Sequence, residues 1–132
     1  MYANWFKNKK LKHIDKWNNR RREIAKAYQT QVTNDKLKMQ AQPEWSNSVY
    51  HLFVVTVDDR EHFMNYLKEN GVYSGMHYPI SCHLQKACAY LGHKEGDFPN
   101  AEYLAAHCVS LPMFPELRDD ELAKTIEVIN AY

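Results

Sequence analysis

The spacing of hydrophobic and polar positions predicts five helices and three strands along this chain. Apolar residues recur every three, four or seven positions across 5–31, which predicts one long helix whose apolar stripe includes Trp5, Trp17 and Tyr28. Residues 49–57 form a nearly continuous apolar run rich in β-branched side chains, as is typical of a central strand. The other expected helices are 59–70, 84–91, 99–108 and 119–131, and the other expected strands are 72–76 and 109–113.

This order of elements predicts the α/β class, as a two-layer α+β sandwich in which helices cover a sheet of about three strands. The 132 residues suffice for one domain, so we expect a single domain over 1–132. Within it, 1–35 is the long basic helix and 36–132 the compact α/β part, joined by a loop-like segment at 36–48. Pro112 places the strand over 109–113 at a sheet edge, because proline has no amide to donate.

Acidic pairs mark the expected starts of two helices. A carboxylate at such a position satisfies free backbone amides and interacts favourably with the helix dipole. The expected caps are Asp58 or Asp59 for the helix over 59–70, and Asp119 or Asp120 for the helix over 119–131.

The net charge of +1 conceals an asymmetry along the chain. Residues 1–38 hold eleven Lys and Arg against three Asp and Glu, whereas 39–132 hold six against thirteen. A non-catalytic interaction or nucleic-acid-binding module that uses the basic helix is therefore an alternative function. Because the charges surround the helix outside its apolar stripe and no recognised nucleic-acid motif accompanies them, nucleic acid is not the expected partner.

The sequence lacks the signatures of membrane-spanning, secreted and disulfide-rich proteins and of the common phosphate-binding loops. No run of 18 apolar residues is present, and residues 1–13 lack the features of a secretory signal, so we expect a cytoplasmic protein that does not span a membrane. The three cysteines do not form a disulfide pattern. The four glycines build neither of the common phosphate-binding loops.

Titratable and aromatic side chains concentrate in residues 77–97, which predicts a binding site on a loop. One alternative is a zinc site, although the spacing of its histidines and cysteines matches no standard ligand pattern. The other is a nucleophilic Cys82 paired with His77 or His83, which would need a thiolate-stabilising environment that sequence does not reveal. The candidate metal ligands are His77, Cys82, His83, Cys88 and His93.

Four segments, in order, resemble the DegT/DnrJ/StrS sugar aminotransferases. Residues 10–28 are similar to the long helix that opens the C-terminal part of that family, and residues 76–85 to its H-Y-P-x-P-x-H-x-Q loop. Residues 91–102 resemble its L-G-x-x-x-G-D-(F/L)-P-x-(A/S)-E stretch, and residues 110–117 its S-L-P-(M/I)-(Y/F)-P-x-L segment. Ser81 stands where the family usually has proline.

The resemblance implies the small, C-terminal domain of a fold-type-I enzyme that uses pyridoxal phosphate (PLP) to aminate a nucleotide-linked keto-sugar. It implies that the Schiff-base lysine lies in an N-terminal PLP domain outside this chain, so we expect no catalytic, cofactor-binding or metal-binding residue here and no transamination by the chain alone. The chain would supply a loop that closes over the sugar nucleotide. The residues implied to bind that substrate are His77, Tyr78, His83 and Gln85. An exposed apolar patch left by the missing domain predicts a homo-oligomer.

Overall fold

The computed structural model describes residues 9–132, so Trp5 and the start of the predicted helix over 5–31 lie outside the described residues. A 3-10 turn at Leu11–His13 precedes the first α-helix, and two further 3-10 helices span Cys82–Leu84 and Lys86–Leu91. The α-helices are α1 (Ile14–Gln31), α2 (Arg60–Glu69), α3 (Pro99–His107) and α4 (Asp119–Asn130). The strands are β1 (Lys38–Met39), β2 (Phe53–Thr56) and β3 (Cys108–Leu111).

The three strands form an antiparallel sheet in the order β1-β2-β3. Phe53 pairs with Leu111 and Thr56 with Cys108, while Lys38 pairs with Thr56 on the other side of β2. The prediction of a central strand within 49–57 is therefore confirmed, although only its second half is paired. The edge position predicted for the strand near Pro112 is also confirmed, and this proline lies just beyond β3.

Two predictions about strands were wrong. Residues 72–76 contribute only an isolated bridge, in which Gly75 pairs with Ser110 on the outer side of β3. The segment over 36–48, predicted to be a loop, contains the two-residue strand β1. Both errors have the same cause, because such short pairings depend on which backbone lies alongside and not on the local hydrophobic period.

Interactions within one turn determine the helix starts. The Asp59 carboxylate accepts a hydrogen bond from the backbone amide of His62 at 3.0 Å, which confirms one of the two predicted caps of α2. The prediction for α4 was wrong, since the N-cap is Arg118 and its amide donates to the Glu121 carboxylate at 3.0 Å. Asp119 instead begins the helix, where its charge still interacts favourably with the helix dipole.

The hydrophobic core lies between one face of the sheet and three helices. Phe53 and Val55 share a face of β2 because side chains alternate along a strand. They pack with buried residues of α1, α2 and α4, namely Ile24, Ala25, Tyr28, Phe63, Leu67, Leu122, Ile126 and Ile129. The predicted layer of helices over one face of a three-stranded sheet is thereby confirmed.

The second face of the sheet is covered by residues 77–82 and α3. Ser110 and Cys108, which point to this side of β3, are both buried. The loop and α3 therefore cover part of this face of the sheet, and the cleft between them is the candidate site.

Helix α1 packs along only part of its length. In its C-terminal half Ile24, Ala25 and Tyr28 are buried. At the other end Ile14 is 38% exposed, and Leu11 in the preceding 3-10 turn is 60% exposed. Two side-chain contacts join its end to α4, since Asn130 donates to the Gln31 carbonyl and accepts from the Thr33 amide. Within residues 9–132, no helix has both the length and the apolar character needed to cross a bilayer.

Candidate functional site

A cleft of about 300 Å³ lies between the 77–82 loop, the second face of the sheet and α3. The loop contributes the first two residues of the motif singled out in the sequence, His77 and Tyr78. The floor and far wall are apolar and are formed by Val54, Ala101, Leu104, Ala105 and Cys108. An apolar wall with a few polar groups at its rim is the usual composition of a small-molecule site.

His77 is held against β3 by its ring. Its Nδ1 lies 2.9 Å from the Oγ of Ser110, a buried residue of that strand. The ring also lies against Gly75, where an added Cβ would come within 3.0 Å of Cε1. Glycine favours this close approach, because a side chain at position 75 would force the His77 ring to shift. The second ring nitrogen of His77, Nε2, makes no hydrogen bond within residues 9–132.

Tyr78 and Gln85 present their side chains outward. Tyr78 is 71% exposed, and its ring lies edge-on to that of His77 at 5.5 Å. The peptide bond between these two residues is cis. Gln85 is also exposed and lies between the two 3-10 helices, outside the lining of the cleft. A phenol and an amide in these positions can exchange hydrogen bonds with hydroxyl or phosphate oxygens.

His83 lies in a different cluster from His77 and Tyr78. Its Nε2 is 2.9 Å from the Glu102 carboxylate, and its side chain is only 8% exposed. The ring packs on Phe98 at 4.8 Å between centroids and lies 6.5 Å from that of His93. The structure thus brings together the first two predicted site residues and separates the third from them.

Glu102 accepts hydrogen bonds from two backbone amides as well. The Gly96 amide donates to both of its oxygens, at 3.0 and 2.9 Å, and the Phe98 amide donates at 3.2 Å. These contacts, the Gly96 amide foremost, hold the pKa of the Glu102 carboxyl below its usual range because each favours the charged form. Neither Glu102 nor Ser110 was a predicted site residue, although both lie in segments that carry the family resemblance.

The alternative chemistry at this loop finds little geometric support. Across residues 9–132, no three His, Cys, Asp or Glu side chains are placed to hold a metal ion together. His77 and His83 direct a ring nitrogen to Ser110 and Glu102, not to the thiol of Cys82.

The arginines of the basic helix are engaged within the molecule. Arg20 donates to the Leu117 carbonyl at 2.8 Å and also contacts Asp119, and Arg22 donates to the Ser48 carbonyl at 3.1 Å. These contacts hold α1 on the rest of the chain and occupy groups that a phosphate would need.

The described lysines do not fit a Schiff base with PLP. Every lysine side chain in residues 9–132 is exposed, whereas such a lysine needs a pocket that also holds the cofactor.

Comparison with known proteins places this arrangement in a family. A model of the DegT/DnrJ/EryC1/StrS aminotransferase family matches residues 6–130. The erythromycin biosynthesis sensory transduction protein EryC1 of Saccharopolyspora erythraea is 37% identical over 123 residues, which are 92% of this chain and 34% of that protein. The dTDP-3-amino-3,6-dideoxy-alpha-D-galactopyranose transaminase of Aneurinibacillus thermoaerophilus is also 37% identical over 123 residues, or 93% of this chain and 33% of that protein.

Solved structures show the same fold. The crystal structure of DesV from S. venezuelae superimposes with a TM-score of 0.88 at 30% identity, over 92% of this chain and 33% of DesV. The predicted fold class is thereby confirmed, and the chain spans about a third of the length of the relatives it matches. Because the family model covers nearly all of its residues, this chain belongs to the DegT/DnrJ/EryC1/StrS family of PLP-dependent aminotransferases.

Proposed function

We propose that this chain is the C-terminal part of an aminotransferase that acts on nucleotide-linked keto-sugars, and that its 77–85 loop closes over the substrate. The observation that carries the proposal is the cleft beneath this loop, with the His77 ring held on Ser110 and the Tyr78 phenol exposed beside it. In this role the residues position substrate and exclude water, and they transfer no proton.

The sugar and phosphate oxygens of a nucleotide sugar match the groups available at this loop. Tyr78 and Gln85 offer a hydroxyl and an amide, and His77 offers its second ring nitrogen. His83 contributes to substrate binding indirectly, because its contact with Glu102 holds the end of the loop in place. One relative is named as a dTDP-amino-sugar transaminase, which favours a dTDP-linked hexose as the first probe.

The remaining two-thirds of the enzyme would supply PLP and its Schiff-base lysine. This division of labour is supported by the length of the relatives, of which this chain spans about a third. A group of exposed apolar side chains lies within and beside the loop and suits contact with that part or with a second subunit. These residues are Met76, Ile80, Leu84, Tyr90 and Leu91. We therefore also propose that the enzyme is a homo-oligomer, in the cytoplasm.

A binding experiment tests the loop's role. The 132-residue chain is titrated with dTDP-glucose while backbone NMR shifts are recorded, and the largest shifts are expected within 77–85. Tyr78→Phe should weaken binding about tenfold, because it removes one hydrogen bond to the ligand. Tyr90→Phe is the matched control, since Tyr90 is 83% exposed and lies outside the cleft lining. Absence of saturable binding, or equal losses in both variants, would contradict the proposal.

Two further assays separate the alternatives. With PLP, glutamate and a dTDP-linked keto-hexose, the chain alone should form no amino-sugar; product formation would show that it is catalytically complete. Salt-dependent binding to DNA or RNA that maps to α1 would favour the nucleic-acid alternative.

A further inference from the structure

The Glu102 carboxylate connects three separate pieces of the chain. It projects from the first turn of α3, accepts amide hydrogen bonds from Gly96 and Phe98 in the preceding turn, and meets His83 from the 3-10 helix Cys82–Leu84. Its side chain is 19% exposed. One carboxylate therefore holds the 94–98 turn and the end of the 77–85 loop against α3.

This contact also determines where the proton of His83 lies. An ionised carboxylate can only accept hydrogen bonds, so the Nε2 of His83 must carry the hydrogen that is shared with Glu102. The other ring nitrogen, Nδ1, is then free of that contact. The amide donors that keep Glu102 ionised therefore also fix the tautomer of the neutral imidazole.

The two ends of the loop are held by different groups. At its start, the His77 ring contacts Ser110, and Gly75 exchanges two backbone hydrogen bonds with the same serine at 2.9 and 2.8 Å. At its end, the contact between His83 and Glu102 is the corresponding restraint. Tyr78 lies between these restraints, so its position depends on both.

We propose that Glu102 is a positioning residue, which acts through His83 to hold the 77–85 loop in the geometry that binds the nucleotide sugar. This inference rests on the proposed function for the identity of the ligand. The orientation of His83 by Glu102 does not depend on that function. Glu102 touches no substrate in this scheme. Removing the Glu102 carboxylate is expected to lower ligand affinity only indirectly, through the displacement of His83 and the end of the loop.

The first measurement is independent of any ligand. Imidazole ¹⁵N shifts of His83 are recorded in the 132-residue chain, in Glu102→Gln and in Glu95→Gln, which removes an equal charge from an exposed position in the adjoining turn. At neutral pH we expect the Nε2–H tautomer to dominate in the parent and in Glu95→Gln, and tautomer averaging in Glu102→Gln. Dominance of the Nδ1–H tautomer in the parent, or identical spectra in all three chains, would overturn the proposal.

The second measurement asks whether Glu102 acts through His83. With dTDP-glucose as the probe, Glu102→Gln is expected to weaken binding about tenfold and Glu95→Gln to leave it unchanged. In a His83→Asn background the same Glu102→Gln change should cost no further affinity, because its target is already gone. A full tenfold loss in that background would show a role in stability or a direct contact and would overturn the proposal.

The two measurements keep the two proposals distinguishable. If the parent chain does not bind dTDP-glucose, the proposed function fails, while the ¹⁵N shifts alone still decide whether Glu102 orients His83. If the parent binds and the tautomer is the same in all three chains, the inference about Glu102 fails and the proposed function stands. Circular dichroism of each variant checks that the helices are intact, so that a loss of fold is not mistaken for a loss of positioning.

Discussion

Tyr28 joins α1 to the segment that follows β3, and its phenol gives a direct test of the core. The side chain has no exposed surface, and its hydroxyl donates to the Pro112 carbonyl at 2.8 Å. Its ring lies 5.0 Å from that of Phe53. Tyr28→Phe keeps the ring in place, removes the hydroxyl and leaves the carbonyl of Pro112 without this donor.

The expected cost at neutral pH is about 1–2 kcal/mol in the free energy of unfolding, because the part-buried Pro112 carbonyl loses its hydrogen-bond donor. For a chain of this length, that cost lowers Tm by about 4–7 °C. Urea denaturation followed by circular dichroism measures it. Tyr90→Phe, at an exposed position, is the control and should unfold like the parent.

The same substitution has a predictable pH dependence. Burial raises the pKa of Tyr28, so the phenol stays protonated in the folded chain at a pH where it ionises in the unfolded chain. The stabilising contribution is complete below the ordinary pKa near 10 and is lost as the pH rises toward the folded-state pKa. At pH 11 the parent therefore loses about 1.4 kcal/mol that Tyr28→Phe does not lose, and the two chains become nearly equal.

Two results would refute this reasoning. Equal stability of Tyr28→Phe and the parent at pH 7 would show that the hydrogen bond to Pro112 contributes nothing. A difference that stays constant from pH 7 to pH 11 would show that the phenol is not buried in the folded chain.

Three further predictions concern the sheet, a helix cap and the loop. Phe53→Ala should lower the free energy of unfolding, measured by urea denaturation, by about 3–5 kcal/mol because it leaves a cavity in the core. The control Trp45→Ala should change it by less than about 0.5 kcal/mol, since Trp45 is 88% exposed. Asp59→Ala should cost about 1 kcal/mol in the same assay through loss of the α2 cap, and the neighbouring Asp58→Ala should cost much less. The pKa of Glu102 is lowered in the fold, so its ionised carboxylate stabilises the fold above the ordinary carboxyl pKa of about 4.3, and this stabilisation is lost as the pH falls through the folded-state pKa. In an NMR titration the shift of the Gly96 amide should follow the ionisation of Glu102 in the parent. It should show no such transition in Glu102→Gln.

Features that depend on a few neighbouring residues were the ones that sequence predicted well. The Asp59 cap, for example, contacts an amide only three residues away. The apolar run near Phe53 predicted a central strand because strands covered on both sides are typically apolar in succession and rich in β-branched residues. The family resemblance of four ordered motifs was confirmed for the same reason, since it too is read along the chain.

The candidate site was predicted in part. Residues 77–97 could be singled out by their composition, and the loop within them by its family resemblance. The exposure of Tyr78 and Gln85 agrees with a binding role that stays a prediction. The partners of the two histidines could not be predicted, because Ser110 follows His77 by 33 residues and Glu102 follows His83 by 19. No local period encodes such pairs.

By itself, the order of residues determined which segments are helical, which strand lies at the centre of the sheet and which loop carries the polar side chains. Each of these follows from hydrogen bonds within a turn, or from the pattern of apolar and polar side chains along one segment, which decides which of its faces is buried. Only the tertiary structure decided that Gly75 borders β3, that the loop and α3 cover the second face of the sheet, and that His77 and His83 lie in different clusters. These arrangements depend on which distant backbones meet, and that is settled by packing over the whole molecule.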